Sequence, residues 1–471
     1  MKTAYQKLVL AVAFMATAGS MAAQELNSAY FTQDYMFRHD LNPAFGNSQN
    51  YVSIPVLGNM NVKMQGNFGL GDVLFKDPAT GKYNRTFLHP EVTTAEALKG
   101  IKDGFNRINT DVRLTILSAG FKAWGGYNTI ELNERTNVGV KLPGDLFKMA
   151  RNVENKTYNF DVYTRAVSFA ELAFGHSRQI NNDIRVGAKL KFLFGVGRAD
   201  LQMKGVNAKL EGDTWTIESE KAEATLNMKG LVIPEKTKEY KDASRGTYKE
   251  VDFDNIDVKS PGISGFGMGL DLGAEWRVIP DLKVSAALVD LGFLSWNTAT
   301  LLKQSAGKFT FDGFHEVPVK KTDANGNEVP NTISDQGDKY ADQLSDFVAL
   351  QNMGEGGSKS GGLVATMNLG AEYTLPMYKP MSFGFLFQQH FGSYAWTEAR
   401  LSANWTPLKW LDGGLTLGLG TFGASTGWLI NIHPKGFNFF IGMDHILGKM
   451  AKQGIPLSSH ASVNLGMNIT F

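Results

Sequence analysis

Residues 461–471 read Ala-Ser-Val-Asn-Leu-Gly-Met-Asn-Ile-Thr-Phe, and no other stretch constrains the fold as strongly. Val463, Leu465, Met467, Ile469 and Phe471 are apolar, whereas the intervening Ser462, Asn464, Gly466, Asn468 and Thr470 are small or polar. A strict period of two gives a strand one greasy and one wet face. About ten residues of this pattern suffice for a transmembrane β-strand. The same pattern also suits a half-buried strand of a soluble sandwich, so the rest of the chain must decide.

The N-terminus points to export. Lys2 and Lys7 precede an apolar run over residues 8–18, and Ser20-Met21-Ala22-Ala23 offers a small-residue cleavage site. This is the pattern of a secretory signal peptide over residues 1–23, too short to span a bilayer as a helix. Cleavage after Ala23 is expected, leaving a mature chain that begins at Gln24. With no Cys, the chain cannot be an acylated lipoprotein and must do without disulfides. No later segment reaches 18 consecutive apolar residues, which excludes a helical membrane protein. A barrel remains open, because its strands carry apolar residues only at alternate positions. Charge is balanced: 47 basic residues, less the leader's two, face 46 acidic ones. Nothing in that balance suggests a nucleic-acid partner.

The mature N-terminus, residues 24–50, is aromatic-rich yet not strand-like. It carries Tyr30, Phe31, Tyr35, Met36 and Phe37, then Asp40-Leu41-Asn42-Pro43-Ala44-Phe45-Gly46. So many aromatics need a place of burial, and a barrel lumen is one. Strands are expected over 51–54 and 59–70, with Asn61, Lys63 and Gln65 on one face of the second. Residues 75–110 read as a loop or lid, helical in pattern over 92–108. Strands follow at 112–124, 129–142, 158–165 and 168–179, with a short helical turn at 143–150. Asn181-Asn182-Asp183 is a turn cluster. The strand after it sets Arg185, Lys189 and Lys191 opposite Val186, Leu190 and Phe192. Charges facing lipid at mid-bilayer cost about 2–4 kcal/mol each, so in a barrel they must face a polar interior.

Residues 201–261 and 298–361 are long polar excursions, read as exposed loops, the first with a hairpin of its own in prospect. Pro280-Asp281 joins strands at 262–277 and 282–296. From 363 to the end strands are dense, with short connections alternating with longer ones. The whole reads as an all-β, antiparallel transmembrane barrel of about fourteen strands over residues 51–471, with residues 24–50 as a hatch or plug. Trp124, Trp276, Trp296, Trp396, Trp405, Trp410 and Trp428 fall near strand ends, with Tyr127, Tyr373, Tyr378 and Tyr394, as two interfacial girdles require.

Asp40-Leu41-Asn42-Pro43-Ala44, shortly after the leader, resembles the Asn-Pro-Ala motif in the hatch of FadL-like channels for long-chain fatty acids. The strand Ile184-Arg185-Val186-Gly187-Ala188-Lys189-Leu190-Lys191-Phe192 and the segment Leu288-Val289-Asp290-Leu291-Gly292-Phe293-Leu294-Ser295-Trp296 are similar to strands of that superfamily. They are closer still to a branch of exported barrels of unknown function (DUF5723). The final strand resembles the closing strand of bacterial outer-membrane barrels, which ends in Phe and is read by the barrel-assembly machinery. The resemblance implies an outer-membrane barrel with an N-terminal plug. In the superfamily's transporters a hydrophobic ligand binds inside and leaves sideways through a kinked strand. Other relatives serve as shuttles or scaffolds in type IX secretion. Only Asn42, Pro43 and Ala44 carry over by motif.

Catalytic and metal motifs were sought in the same residues. His390 and His445 lack a sequence-adjacent nucleophile in register, and Ser459-His460 would point to opposite faces of a strand. Asp444-His445 has the same problem outside a loop. Asp323-Ala324-Asn325-Gly326-Asn327-Glu328 alternates oxygen donors, but the spacing departs from a calcium loop. The run 354–362 is Gly-rich but lacks the Gly-Lys-Ser/Thr order of a phosphate loop and reads as flexible. No cofactor or metal is expected, and the chain is read as a non-enzyme. Two functions stay open: passive transport of hydrophobic or amphipathic molecules through a plugged lumen, or a scaffold in a secretion or envelope-assembly complex. An outer-membrane hydrolase is a minor third. The partners implied are outer-membrane lipid, the assembly machinery, a hydrophobic ligand and envelope proteins.

Overall fold

A computed structural model describes residues 25–151, 156–211, 214–297, 299–313, 332–392, 394–446 and 457–471. The leader over 1–23 and the oxygen-rich turn 323–328 lie outside the described residues.

Fourteen antiparallel strands close into a barrel. In chain order they are β1 (interrupted, Tyr51–Ser53 and Met60–Gly66), β2 (Phe105–Ala123), β3 (Gly126–Pro143), β4 (Thr157–Gln179), β5 (Ile184–Glu211), β6 (Gly265–Ile279) and β7 (Leu282–Trp296). Then come β8 (Thr366–Thr374), β9 (Met381–His390), β10 (Trp396–Leu408), β11 (Leu411–Gly420), β12 (Gly423–Ile432), β13 (Asn438–Met443) and β14 (Ala461–Thr470). Each pairs with the next in sequence. β14 then closes the ring against β1, with Met60 opposite Leu465 and Tyr51 opposite Thr470. On its other side β14 pairs with β13, Phe439 opposite Met467. The last residue completes the seam: Asn50 N donates to Phe471 O at 3.2 Å, and Phe471 N to Asn50 O at 3.0 Å. Closure leaves no unpaired edge, which is what permits strands in a bilayer.

The alternation of β14 is resolved in one sense only. Ser462, Asn464, Gly466, Asn468 and Thr470 are buried inside, while Val463, Leu465, Met467, Ile469 and Phe471 face out. The whole wall is inverted in this way. Leu415, Leu417 and Leu419 of β11 are 66%, 63% and 68% exposed, whereas Lys63, Lys189 and Arg400 are 1% exposed inside. A water-soluble sandwich would bury the leucines and wet the lysines. Only an apolar surround makes the observed arrangement favourable.

Connections at one end are short. Trp124-Gly125 turns β2 into β3 with φ of 52° and 71°, a two-residue turn that a residue able to hold positive φ permits. Pro280-Asp281 and Lys409-Trp410 serve β6–β7 and β10–β11. The opposite end carries the long excursions, and here several expectations are corrected. Segments 158–165 and 168–179 are one strand, the 23-residue β4. Residues 201–211, expected in a loop, extend β5 to 28 residues. A bilayer needs about 9–11 residues per strand, so both strands rise well beyond it. Their outer ends template further strands: Lys221–Met228 on β5, and Thr300–Gln304 on Lys221–Met228. The helix Ile333–Val348, started by the Thr332/Asp335 capping box, also belongs to this outer layer. Tyr158, Phe160, Val206 and Leu210 form one of its cores, and Ala224, Ile233, Val251 and Leu302 another. The Gly-rich run is not all loop, since Lys359–Gly362 pairs with the end of β7. Between 75 and 110 the only α-helix among the described residues is Thr94–Leu98, a small hairpin pairs Leu74–Lys76 with Tyr83–Thr86, and the barrel strand β2 begins at Phe105.

Of the Trp and Tyr residues expected in two girdles, Trp428 lies part-way along β12, and most of the exposed ones lie at the short-turn end. Trp124, Trp276, Trp405, Trp410, Tyr373 and Tyr378 are exposed there. Trp296 and Trp396 are buried instead. Trp296 turns inward over Gly195, where a Cβ would stand 2.7 Å from its ring, and packs on Phe169 and Leu193. Trp396 stacks on His390 at 5.5 Å. Tyr127 is also buried, inside the barrel.

Candidate functional site

The lumen is the candidate site, and the chain's own N-terminal segment fills it. Side chains alone fill a barrel of about eight strands; fourteen leave room for more. Residues 25–45 are almost entirely buried. The segment makes only short 3-10 turns, Asn27–Ala29 and Arg38–Asp40. Its backbone groups must therefore find partners in the wall. Asn27 N and Ser28 N donate to the Asp444 carboxylate at 3.0 and 2.7 Å. Asn368 Nδ2 donates to Leu41 O at 2.7 Å.

The Asn42-Pro43-Ala44 motif sits in a notch. Gly187 of β5 lies opposite Gly273 of β6. A Cβ at Gly187 would stand 2.0 Å from Pro43 O, and one at Gly273 2.0 Å from Asn42 Oδ1. Two facing glycines thus remove the wall's side chains where the motif's backbone docks. Asn42 closes the turn by accepting from Ala44 N at 2.9 Å and donates across to Ala274 O and Ala286 O at 3.3 and 3.4 Å.

The wall facing the plug has two unlike halves. On β2 to β7 it is ionic. Lys189 Nζ bonds both Asp40 of the plug and Glu131 of β3, the latter at 2.7 Å. Arg113 reaches Glu25 at 2.6 Å and Asp40 at 3.0 Å, and His39 Nε2 contacts Glu131 at 2.9 Å. Glu171 links this group, through Arg135 at 2.9 Å, to a second cluster. There Arg135 grips Asp290 with both terminal nitrogens, at 2.8 and 2.7 Å, and Lys191 bridges Asp290 and Asp271 at 2.7 Å each. Asp290 holds φ of 62° beside a bulge in the β6–β7 pairing, with its N–H on Asp271. A left-handed non-glycine residue costs of order 1–3 kcal/mol, offset here by three charged contacts.

On the opposite wall, β9 to β14, charges are fewer, chiefly the buried Glu398–Arg400 pair at 2.7 Å and Asp412, and amide, hydroxyl and apolar side chains supply the rest of the lining. Asn438 donates to Asn431 at 2.7 Å, and Asn468 to Asn438 at 3.2 Å. Leu429 and Phe440 form one inward apolar patch and Leu386 a second, separate one, together the apolar strip of this wall. The plug's aromatics cover it: Tyr35 and Phe37 meet Phe440 edge-on at 4.8 and 5.9 Å, and Tyr30 and Phe31 pack on Leu386.

The strand reading anticipated Arg185, Lys189 and Lys191 as inward, and set Lys63 with Asn61 and Gln65 on one face of its strand. It missed Glu131, Glu171, Asp290 and Asp444 as partners of these lysines, and Arg113 as a further cation sharing the same carboxylates. The signal available was a charged residue at an inward position on each of six consecutive strands.

Matched against families, the chain aligns with DUF5723, a family of unknown function, over residues 43–444. The chain belongs to this family. The match begins inside the Asn42-Pro43-Ala44 motif and ends at Asp444, the residue that anchors Asn27 and Ser28. No curated protein matches the sequence. Solved structures similar to this DUF5723 barrel include the toluene transporter TbuX of Ralstonia pickettii, at 10% identity, TM-score 0.40 and 96% of each chain. Others are the toluene transporter TodX of Pseudomonas putida, at 7% identity, TM-score 0.39 and 96% of each chain, and a FadL homologue of Pseudomonas aeruginosa, at 9% identity, TM-score 0.38, 96% of this chain and 99% of that one.

The histidines weighed for catalysis are engaged elsewhere. His390 Nδ1 pairs with Thr366 Oγ1 at 2.8 Å, His445 with Gln65 at 3.1 Å, and His460 with Phe422 O at 2.8 Å. Among the described residues, no serine hydroxyl is hydrogen-bonded to an imidazole.

Proposed function

We propose that this protein is an outer-membrane conduit for amphipathic or hydrophobic small molecules, held closed by its N-terminal plug. The lipid-compatible outer face supports that location. One observation carries the functional reading: a barrel too wide to fill itself is filled by the N-terminal segment of its own chain, docked on a two-sided lumen. Withdrawing the plug would leave an ionic wall on β2–β7 facing an apolar strip of Leu386, Leu429 and Phe440. Such a passage suits a molecule with a polar head and an apolar body. The plug's polar contacts are of a kind that water replaces, so their loss costs far less than in a dry core.

A sideways exit, if the barrel uses one, would lie at the interruption of β1, which is closed in this structure by Val56 N donating to Ile116 O at 3.1 Å and Met467 N to Leu57 O at 2.8 Å. Between its two pieces Pro55-Val56-Leu57 bulges outward, Val56 with φ of 68°, and Val56 and Leu57 are exposed on the lipid side. The test is purified protein in liposomes loaded with a fatty-acid-sensing dye. Transfer should exceed that of empty liposomes and rise when the plug is loosened; equal rates in both would remove the reading's support.

A scaffold role is favoured by a different observation, the outer layer with two cores of its own, which a simple conduit does not need. Recovery of a stoichiometric partner from detergent-solubilised membranes, lost on trimming residues 231–258, would favour that reading. Recovery of the barrel alone would count against it.

A further inference from the structure

Two groups of His and carboxylate side chains converge closely enough to share an ion. They are His39, Asp40 and Glu131 in the lumen, and Asp34, Asp412 and His433 at the short-turn end. The first already holds its cation, because Lys189 bonds both carboxylates and Arg113 adds a second positive charge. The second is different. Among the described residues no lysine or arginine nitrogen comes within 4.0 Å of Asp34 or Asp412, so two carboxylates share one imidazole.

The internal geometry of this second group is that of co-ligands. The His433 and Asp412 side chains are each 3% exposed, with Nε2 lying 2.9 Å from Asp412 Oδ2. Yet Nε2 lies outside linear hydrogen-bond geometry with that oxygen, the contact being an ion pair only when the imidazole is protonated. At that distance only the angle can fail, so the two atoms lie side by side rather than end to end. Two donors of one tetrahedral zinc ion sit in this way, roughly 3.3 Å apart for bonds of about 2.0–2.2 Å. Asp34 supplies a third donor, all three atoms lying within 4.8 Å of one another. Outer partners orient the carboxylates. Ser48 Oγ donates to Asp34 Oδ1 at 2.6 Å, Thr406 Oγ1 to Asp412 Oδ1 at 2.9 Å, and Asn431 Nδ2 to Asp412 Oδ2 at 2.9 Å. Asp34 is only half-buried, which leaves a face open for water as the fourth ligand.

We propose that Asp34, Asp412 and His433 form a divalent-cation site of the zinc class that ties the plug to the barrel wall. Asp34 belongs to the plug, Asp412 is the second residue of β11, and His433 directly follows β12, so an ion here would cross-link the movable piece to two fixed strands. One nitrogen and two carboxylate donors favour Zn²⁺ over Mg²⁺, which prefers oxygen ligands and retained water. The inference stands whether or not the barrel transports anything.

The test uses the whole mature barrel in detergent, stripped with EDTA and titrated calorimetrically with ZnCl₂, with MgCl₂ as control. The expected result is one Zn²⁺ per chain, with affinity falling at least about tenfold in both Asp34→Asn and His433→Gln. Added Zn²⁺ should raise the melting temperature of the parent chain and not that of either variant. Absence of Zn²⁺ binding to the parent chain overturns the proposal. So does binding that both variants retain, and so does loss in His433→Gln with Asp34→Asn unchanged, which would confine the ion to the wall. Should His433→Gln fail to fold, Asp34→Asn decides alone, because its site on the plug leaves the wall strands untouched.

Discussion

Lys189→Met should undock the plug without opening the barrel wall. Lys189 is 1% exposed, and its ammonium lies between Asp40, 1% exposed at the side chain, and Glu131, 0% exposed. Removing one partner of a buried ion pair costs about 3–5 kcal/mol, because the other charge is left uncompensated. Arg113 stays 3.0 Å from Asp40 and His39 stays 2.9 Å from Glu131, which places the loss near the low end, about 3 kcal/mol. That is roughly a hundredfold rise in the undocked population. The chain contains no cysteine, so a single Thr32→Cys gives a clean reporter. Thr32 is 4% exposed in the plug, and its hydroxyl has no hydrogen-bond partner, so the swap is nearly silent. Maleimide should then label Thr32→Cys about a hundredfold faster with Lys189→Met than without it. Adding Asp40→Asn should bring the rate part of the way back, since it removes one of the stranded charges. Heat-modifiable mobility confirms in each case that the barrel itself is closed. Equal labelling with and without Lys189→Met, in a folded barrel, would show that these charges do not hold the plug. A rate raised further by Asp40→Asn would show that their coupling has been misread.

Two perturbations test other parts of the same architecture. Deleting Phe471 removes both backbone bonds to Asn50 at the seam, at 3.0 and 3.2 Å. The yield of heat-modifiable barrel in membranes should fall, and a normal yield would count against a role for the terminal residue in closure or assembly. Gly187→Val places a Cβ 2.0 Å from Pro43 O, within the backbone of the hatch motif. It should speed labelling at Thr32→Cys while leaving barrel mobility intact, and unchanged labelling would mean the notch does not seat the plug.

The wall was largely legible in the sequence because alternation is a local property. In β5 the inward set Arg185, Lys189 and Lys191 and the outward set Val186, Leu190 and Phe192 can be read from neighbours alone. Legibility failed where periodicity weakens. In residues 201–211 the alternation breaks at Lys204-Gly205, and although Val206, Ala208 and Leu210 resume it, their short run among Lys204, Asn207, Lys209 and Glu211 reads as loop. Trp296 and Trp396 lie at strand ends as girdle residues would, but pockets opened by Gly195 and by His390 draw them inside. Partnership within the lumen was not legible at all. Arg135 and Asp290 are 155 residues apart, and Lys63 and Asp444 are 381 apart. Strand register and closure decide those encounters. Asn42-Pro43-Ala44 was visible as a motif, yet its seat at Gly187 and Gly273 comes from two strands whose glycines look alike in sequence to any others. Asp34, Asp412 and His433 likewise meet only once the ring has closed.

The two-sidedness of the lumen bears on how a closed barrel would open. A plug held by ion pairs and hydrogen bonds exchanges them for water when it leaves, and the charged wall of β2–β7 is then well solvated. Part of the cost of opening lies in the aromatic contacts, where Tyr35, Phe37, Tyr30 and Phe31 leave Leu386, Leu429 and Phe440 bare. Burying a side chain of this size is worth about 1.5–3 kcal/mol, so an apolar molecule that covered the strip would return much of the cost. It would do so only in the open state, because in the closed state the plug already occupies the strip. A ligand with affinity for one state alone shifts the equilibrium toward that state in proportion to its concentration. The same strip that makes the resting lumen tight therefore makes opening responsive to the amphipathic class of molecule proposed to pass. A purely polar solute, which gains nothing from Leu386 or Phe440, has no such leverage on the plug.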